Sequence, residues 1–226
     1  MTKFPCPSCG AEIVFRTSIA SYAVCPYCRT MVVRKDDDIK DIGIMAALPD
    51  DMSPFQVGTT GYYKGVHFGI VGRMRIAWEE GNWNEWFMVS DDQRRGWLAE
   101  AQGFYAPCFD VTDDLDSRQI EAVNDLAEKV TLNKHDEVGK ITGKTIVLKN
   151  ATYRIVDVKN AECIGSEGEL PFQAPKGRKT TTIDLVQGEG LFASIEIGKD
   201  ANRVFEGSYA EWKDLRCSYF RQFEGW

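Results

Sequence analysis

The feature that most constrains this chain is the spacing of four cysteines near its start: Cys6 and Cys9, then Cys25 and Cys28. Two residues between paired cysteines let both sulfurs face one point, and the Cys-x2-Cys-x15-Cys-x2-Cys pattern falls in the range of a four-cysteine zinc site. Four thiolates close a tetrahedral coordination sphere and leave no position for water or substrate, so the expected ion is one structural zinc. A segment of about 30 residues is too small to build an adequate core, and metal binding then supplies much of its folding energy. Iron suits four thiolates too, and a redox dithiol pair is a further alternative. Gly10 closes the first knuckle, where the turn needs positive φ, and Arg29 holds the equivalent place in the second.

Short β-like runs flank the knuckles at residues 12–15, 21–24 and 30–33, which gives residues 1–35 the layout of a zinc ribbon. The like-charge run Asp36-Asp37-Asp38 favours solvated chain, so residues 36–54 read as a linker whose apolar piece, residues 42–48, docks on a neighbouring domain. From Phe55 onward, β-branched and aromatic runs recur between glycines, the pattern of a sandwich or barrel. One helix interrupts them: Asp116 caps it with Gln119 three residues on, and Ile120, Val123, Ala127 and Val130 form its apolar stripe.

After this helix the strand pattern returns as a distant copy. Residues 68–71 match 153–156, residues 87–89 match 183–185, and Gly96-Trp97-Leu98 matches Gly190-Leu191-Phe192. An internal repeat is one reading and a single irregular β domain the other. The expected fold is mainly β: a zinc ribbon, then a β domain of two similar antiparallel lobes with one intervening helix. The boundaries are ribbon 1–35, linker 36–54, first lobe 55–112, helical connection 113–135, and second lobe with C-terminal tail 136–226.

Net charge is −7, but residues 1–35 carry +4 and the remainder −11. A chain this acidic repels phosphate backbones at long range, which counts against a nucleic-acid partner, while the basic ribbon keeps that alternative open. No run of about 20 apolar residues exists to cross a membrane as a helix. The N-terminus enters the first cysteine pair with no apolar leader, and seven cysteines without an export signal point to a reducing, cytoplasmic setting.

Catalytic chemistry finds few candidates. His67 lies within a strand pattern and His135 among charges, and Cys108, Cys163 and Cys217 are scattered singly. Residues 139–145 imitate a phosphate-binding loop, but it is one residue short and a strand-like run follows where a helix must begin. The densest cluster is Trp78 to Trp97, with Trp83, Glu85, Trp86, Trp97 and Glu100 as candidate partner- or ligand-binding residues. Tryptophans on a strand serve as core or as an interface. Alternation puts Trp83 and Glu85 on one face and Asn84 and Trp86 on the other. If the runs pair, Glu85 and Glu100 could rim one aromatic patch suited to a peptide or to a cation such as a polyamine. The same two carboxylates are the only acid–base pair in view for an enzyme.

The stretch from Val57 to Val111 resembles the bacterial domain-of-unknown-function family 4178. The resemblance is carried by Val57-Gly58, Gly61, Phe68-Gly69-Ile70-Val71-Gly72-Arg73, Trp83-Asn84-Glu85-Trp86, Gly96-Trp97-Leu98 and Gln102-Gly103. The second half is similar through Tyr153-Arg154-Ile155-Val156, Gly168-Glu169-Leu170-Pro171, Ile183-Asp184-Leu185 and Val204-Phe205-Glu206-Gly207. The resemblance implies a fold and no reaction, and an accessory role near membrane-stress or polyamine-related systems. The leading expectation is a non-enzymatic adaptor that binds a protein or a small cationic partner. A nucleic-acid-binding ribbon protein, or an enzyme or ligand sensor using the Trp-rich face, are the alternatives.

Overall fold

A computed structural model describes residues 1–48, 51–132, 138–188, 190–199 and 201–223. Its strands are β1 (Thr2–Pro5), β2 (Glu12–Phe15), β3 (Tyr22–Val24), β4 (Thr30–Lys35), β5 (Asp38–Ile44), β6 (Thr60–Tyr63), β7 (Val66–Trp78), β8 (Gly81–Ser90), β9 (Arg95–Ala101), β10 (Phe104–Asp110), β11 (Thr145–Leu148), β12 (Ala151–Leu170), β13 (Lys179–Gln187), β14 (Leu191–Ile197) and β15 (Asn202–Ser208). Helices are α1 (Ser117–Leu132), α2 (Val138–Ile141) and α3 (Trp212–Leu215). The protein is mainly β, and its strand pairings are antiparallel.

The chain forms two compact units. The first comprises Met1–Tyr105, Glu162–Arg178 and Glu211–Trp226, and the second Ala106–Ala161 and Lys179–Ala210. In the first unit, β1 and β2 form a hairpin while β3, β4 and β5 form a meander. The end of β12 runs between β3 and β7, with Gly168 opposite both Val24 and Gly72. Along one edge of β7, β6 takes residues 66–69 and β12 takes residues 72–76; β8 and then β9 follow on from it. A bulge at Val71 marks the change of neighbour.

This packing demands glycine. A Cβ on Gly72 would lie 1.9 Å from the Glu169 carbonyl oxygen, and one on Gly168 would lie 2.4 Å from that of Val71. Gly168 also has φ +67, where side chains are strained.

The stretch 36–54 is not wholly linker. Asp36, at φ 54, turns the chain, and residues 38–44 pair with β4 as strand β5. Acidic side chains at the turn stay in water while the backbone satisfies its hydrogen bonds across the hairpin. Met45 beyond it is buried.

In the second unit, β13, β14, β15 and β10 pair in that order, and β11 pairs with the start of β12. The helix α1 has the expected capping box: the Gln119 amide N–H donates to Asp116 Oδ1 (2.9 Å) and that of Asp116 to Gln119 Oε1 (3.2 Å). Val123, Leu126 and Val130 pack on Ile146, Leu148, Ile155, Ile183 and Ile195. Ile120, expected in the stripe, is 41% exposed, and the buried face is Val123, Leu126, Ala127 and Val130. That set keeps the i, i+3, i+4, i+7 spacing one turn further on.

The paired runs noted in the sequence fall on strands in like serial positions: 68–71 on β7 and 153–156 on β12, 87–89 on β8 and 183–185 on β13. The start of the imitation phosphate loop is α2, and the loop leads into strand β11. His135 lies outside the described residues.

Candidate functional site

Each cysteine pair sits in a knuckle built by the same two backbone bonds. In the first, the Cys6 N–H donates to the Ala11 carbonyl (2.7 Å) and the Gly10 N–H to that of Cys6 (2.9 Å). In the second, the Cys25 N–H donates to the Thr30 carbonyl (2.9 Å) and the Arg29 N–H to that of Cys25 (3.0 Å). Gly10 (φ 75) and Arg29 (φ 60) both take the left-handed conformation, as the sequence comparison of the two knuckles requires. Ile13, Phe15, Ala20, Ala23 and Val32 form the small core beneath, which Cys6 and Cys25 join.

The four Sγ atoms lie within 4.8 Å of one another, with Cys6–Cys28 at 3.6 Å and Cys9–Cys25 at 3.8 Å. These are not disulfides, whose sulfurs sit about 2.05 Å apart. A tetrahedron with metal–sulfur bonds of about 2.3 Å has sulfur–sulfur edges of about 3.8 Å, so the donor set fits such an ion.

The four thiols hold charge unevenly. The Thr30 hydroxyl (3.1 Å) and then the Thr30 amide favour the Cys28 thiolate and bring its pKa down to about 6. The Ala11 amide favours the Cys9 thiolate in the same way, yet the Cys28 thiol, then loss of solvation and the other two thiols, together outweigh it and push Cys9 up to about 12. A metal ion would bind each of the four as the thiolate.

The ribbon's other charges are largely engaged locally. Lys3 pairs with Glu12 (2.9 Å), and Arg34 donates to the Ser18 carbonyl (3.0 Å). The Arg16 guanidinium meets Glu169 Oε1 (3.0 Å) while the Arg16 and Thr17 N–H groups donate to Glu169 Oε2 (2.7 and 3.2 Å). Tyr22 Oη meets Ser166 Oγ at 3.2 Å. The ribbon is therefore part of the first unit, joined to β12 by backbone and side chain alike.

The Trp-rich run divides as alternation predicts. Trp86 is fully buried, Trp97 and Glu100 are buried, and Trp83 and Glu85 are half-buried, with Trp83 Nε1 donating to Glu85 Oε1 (2.7 Å). The shared aromatic patch does not form. Register places Glu100 opposite Asn84 and Glu85 opposite Ala99, so the two carboxylates project from opposite faces of the β8–β9 pair. Glu100 Oε2 instead accepts from Ser53 Oγ (2.6 Å), Asn84 Nδ2 (3.0 Å) and Trp86 Nε1 (2.8 Å).

Beside it, Asp51 receives Arg73 Nη2, Arg75 Nη1 (3.1 Å), Asn84 Nδ2 (3.2 Å) and Arg221 Nη1 (3.2 Å). The Arg73 guanidinium lies 4.6 Å from the Trp86 ring centre. Asn84 lies in the Trp-rich run, on the face that alternation gives it with Trp86, whereas Asp51, Arg73 and Arg221 are not among the candidates. The available signal was Arg73, a charge amid the apolar Ile70–Val71 and Met74 of a buried strand. Asp51 and Arg221 come from remote segments and carry no local mark.

Among the other singled-out residues, Cys108 and Cys163 are buried and Cys217 is partly so. Burial pushes the Cys163 and Cys217 thiols up to about 11, the state of inert packing residues. His67 Nδ1 meets Asp91 Oδ1 (3.1 Å) at the surface.

Fold and site define a mainly β protein with a four-cysteine cluster compatible with a metal ion at its N-terminus. Residues 56–212 match the model of the family described as Domain of unknown function (DUF4178), and the chain belongs to that family. No curated protein and no solved structure matches it. No helix among the described residues is long and apolar enough to cross a membrane.

Proposed function

We propose that this is a non-enzymatic zinc-binding accessory or adaptor protein, in which one structural zinc fixes the ribbon and the β domain binds a partner protein. The observation that carries the reading is the convergence of Cys6, Cys9, Cys25 and Cys28 into a cluster of tetrahedral dimensions. Four thiolates saturate zinc, so the ion shapes the protein and offers no site for substrate. Glu100 and Asp51 support the non-catalytic part, since internal donors surround both carboxylates. Elemental analysis of freshly purified, reduced protein is expected to find one zinc per chain. Iron would show as visible thiolate absorption, and protein with no metal overturns the reading.

Of the Trp-rich residues, Trp83 and Glu85 are the half-buried members and form the partner surface in this reading. Trp83→Ala is expected to weaken capture of a copurified partner by about 2 kcal/mol, as interface tryptophans do. A small cation such as a polyamine is the second reading, favoured by the half-buried Trp83 ring and by exposed Glu79 and Glu80 in the adjoining turn. Calorimetric titration with spermidine separates the two.

A further inference from the structure

A cleft of about 520 Å³ opens beside the ribbon within the first unit, and its lining includes Glu12 and Val14 of β2, Arg29 of the second knuckle, Met45–Leu48 beyond β5, and Glu169. That volume lies in the range of sites for small ligands and short peptides. One wall is the free edge of β2. In the antiparallel β1–β2 register, the bond from Cys6 N–H to Ala11 O fixes which residues pair inward: 11, 13 and 15. The N–H and C=O groups of Glu12, Val14 and Arg16 must then point away from β1, and all three residues line the cleft.

The structure shows what that edge accepts. The outward Arg16 N–H is met at 2.7 Å by the Glu169 carboxylate, in the place where a neighbouring strand would put a carbonyl oxygen. Glu12 and Val14, earlier on the same edge, have no such acceptor among the described residues. The lining at residues 45–48 is apolar except for its backbone, so it suits apolar side chains of an added strand.

Charge selects the kind of strand. Of the charged residues lining the cleft, Glu12 pairs with Lys3, Arg16 with Glu169, and Glu167 with Arg73 at 3.7 Å. Arg29 is exposed and has no ion pair among the described residues. It also sits at φ 60, at a place where the first knuckle uses Gly10.

We infer that the free edge of β2 binds an extended segment of a partner protein as an added strand, with an acidic side chain of that segment paired to Arg29. This rests on the adaptor reading and names the partner's chemistry and its seat. The same edge could instead pair with a second copy of this chain, which the test separates.

The test selects a random heptapeptide display library on the full-length, zinc-loaded protein and titrates the enriched peptide by fluorescence anisotropy. An acidic residue flanked at alternate positions by apolar ones is expected. Arg29→Glu should weaken binding at least tenfold, and so should Val14→Pro, which removes an outward N–H from an edge strand without touching the β1 bonds. Alternate N-methylation of the peptide should abolish binding to unaltered protein, which keeps the test intact if Val14→Pro fails to fold.

Enrichment of no peptide, a consensus without an acid, or equal binding by Arg29→Glu protein overturns the inference. So does binding that survives N-methylation, or a dimer in sedimentation that Val14→Pro dissolves. Zinc content is measured on the same samples. One zinc per chain with no acidic strand bound sinks this inference alone, whereas metal-free protein sinks the adaptor reading beneath it.

Discussion

At the residue scale, two tryptophans three positions apart have opposite jobs. Trp86 is fully buried, packs edge-on to Phe55 (5.9 Å between ring centres) and donates to Glu100. Trp86→Ala should cost about 3–5 kcal/mol in urea unfolding, from lost burial and an orphaned acceptor. Trp83→Ala should cost less than about 1 kcal/mol in the same measurement, since its ring is only half-buried. Glu169 gives a pH signature. Burial raises its pKa above the ordinary glutamate value, although the amides and guanidinium of Arg16 and Thr17 oppose that rise. A raised folded-state value means that the native state holds the proton more tightly than the unfolded chain does. This contribution is therefore full below the unfolded value of about 4.3 and declines as pH rises through the folded one. Glu169→Gln should flatten that part of the stability–pH curve. A wild-type curve that rises with pH there because of Glu169 contradicts the assignment.

At the scale of elements, the crossing of β12 with β7 is the tightest joint in the first unit. Gly72 and Gly168 let two backbones approach where any Cβ would meet a carbonyl oxygen. Gly72→Ala should destabilise the protein by about 3 kcal/mol or more, or prevent expression in folded form, because the obstacle is backbone and not a flexible side chain. Thermal unfolding of the purified variant checks this, and a variant as stable as wild type would show that the strands do not cross so closely. Gly69 on the same strand is the control: a Cβ there meets nothing within 4 Å.

At the scale of the whole molecule, the ribbon's attachment decides how metal loss is felt. Strand β3 lies against residues 168–170, and Glu169 is buried with its acceptors facing Arg16 and Thr17. If chelation melts the ribbon, that carboxylate loses its donors and β12 loses a neighbour. Hydrogen exchange after chelation should therefore accelerate in residues 162–170 and 72–76 as well as in 1–35. Protection lost from 1–35 alone would mean that the ribbon behaves as a tethered module.

The sequence by itself determined the features that depend on near neighbours. Cysteine spacing set the thiol cluster, because two intervening residues suffice to turn a knuckle, and positive φ at Gly10 and Arg29 followed from the same turn. Asp116 and Gln119 set the start of α1, and period-two alternation set which side of β8 each of Trp83, Asn84, Glu85 and Trp86 faces. The family stretch carried the mainly β fold. Tertiary structure alone decided which strands meet and in what register. One residue of register separates Glu85 from Glu100, and no local pattern encodes it. Asp51 reaches Arg73 and Arg221 across 22 and 170 residues, and Glu169 reaches Arg16 across 153. Such pairings form because a buried charge must find a partner wherever packing brings one. The chain order of the residues does not record that choice.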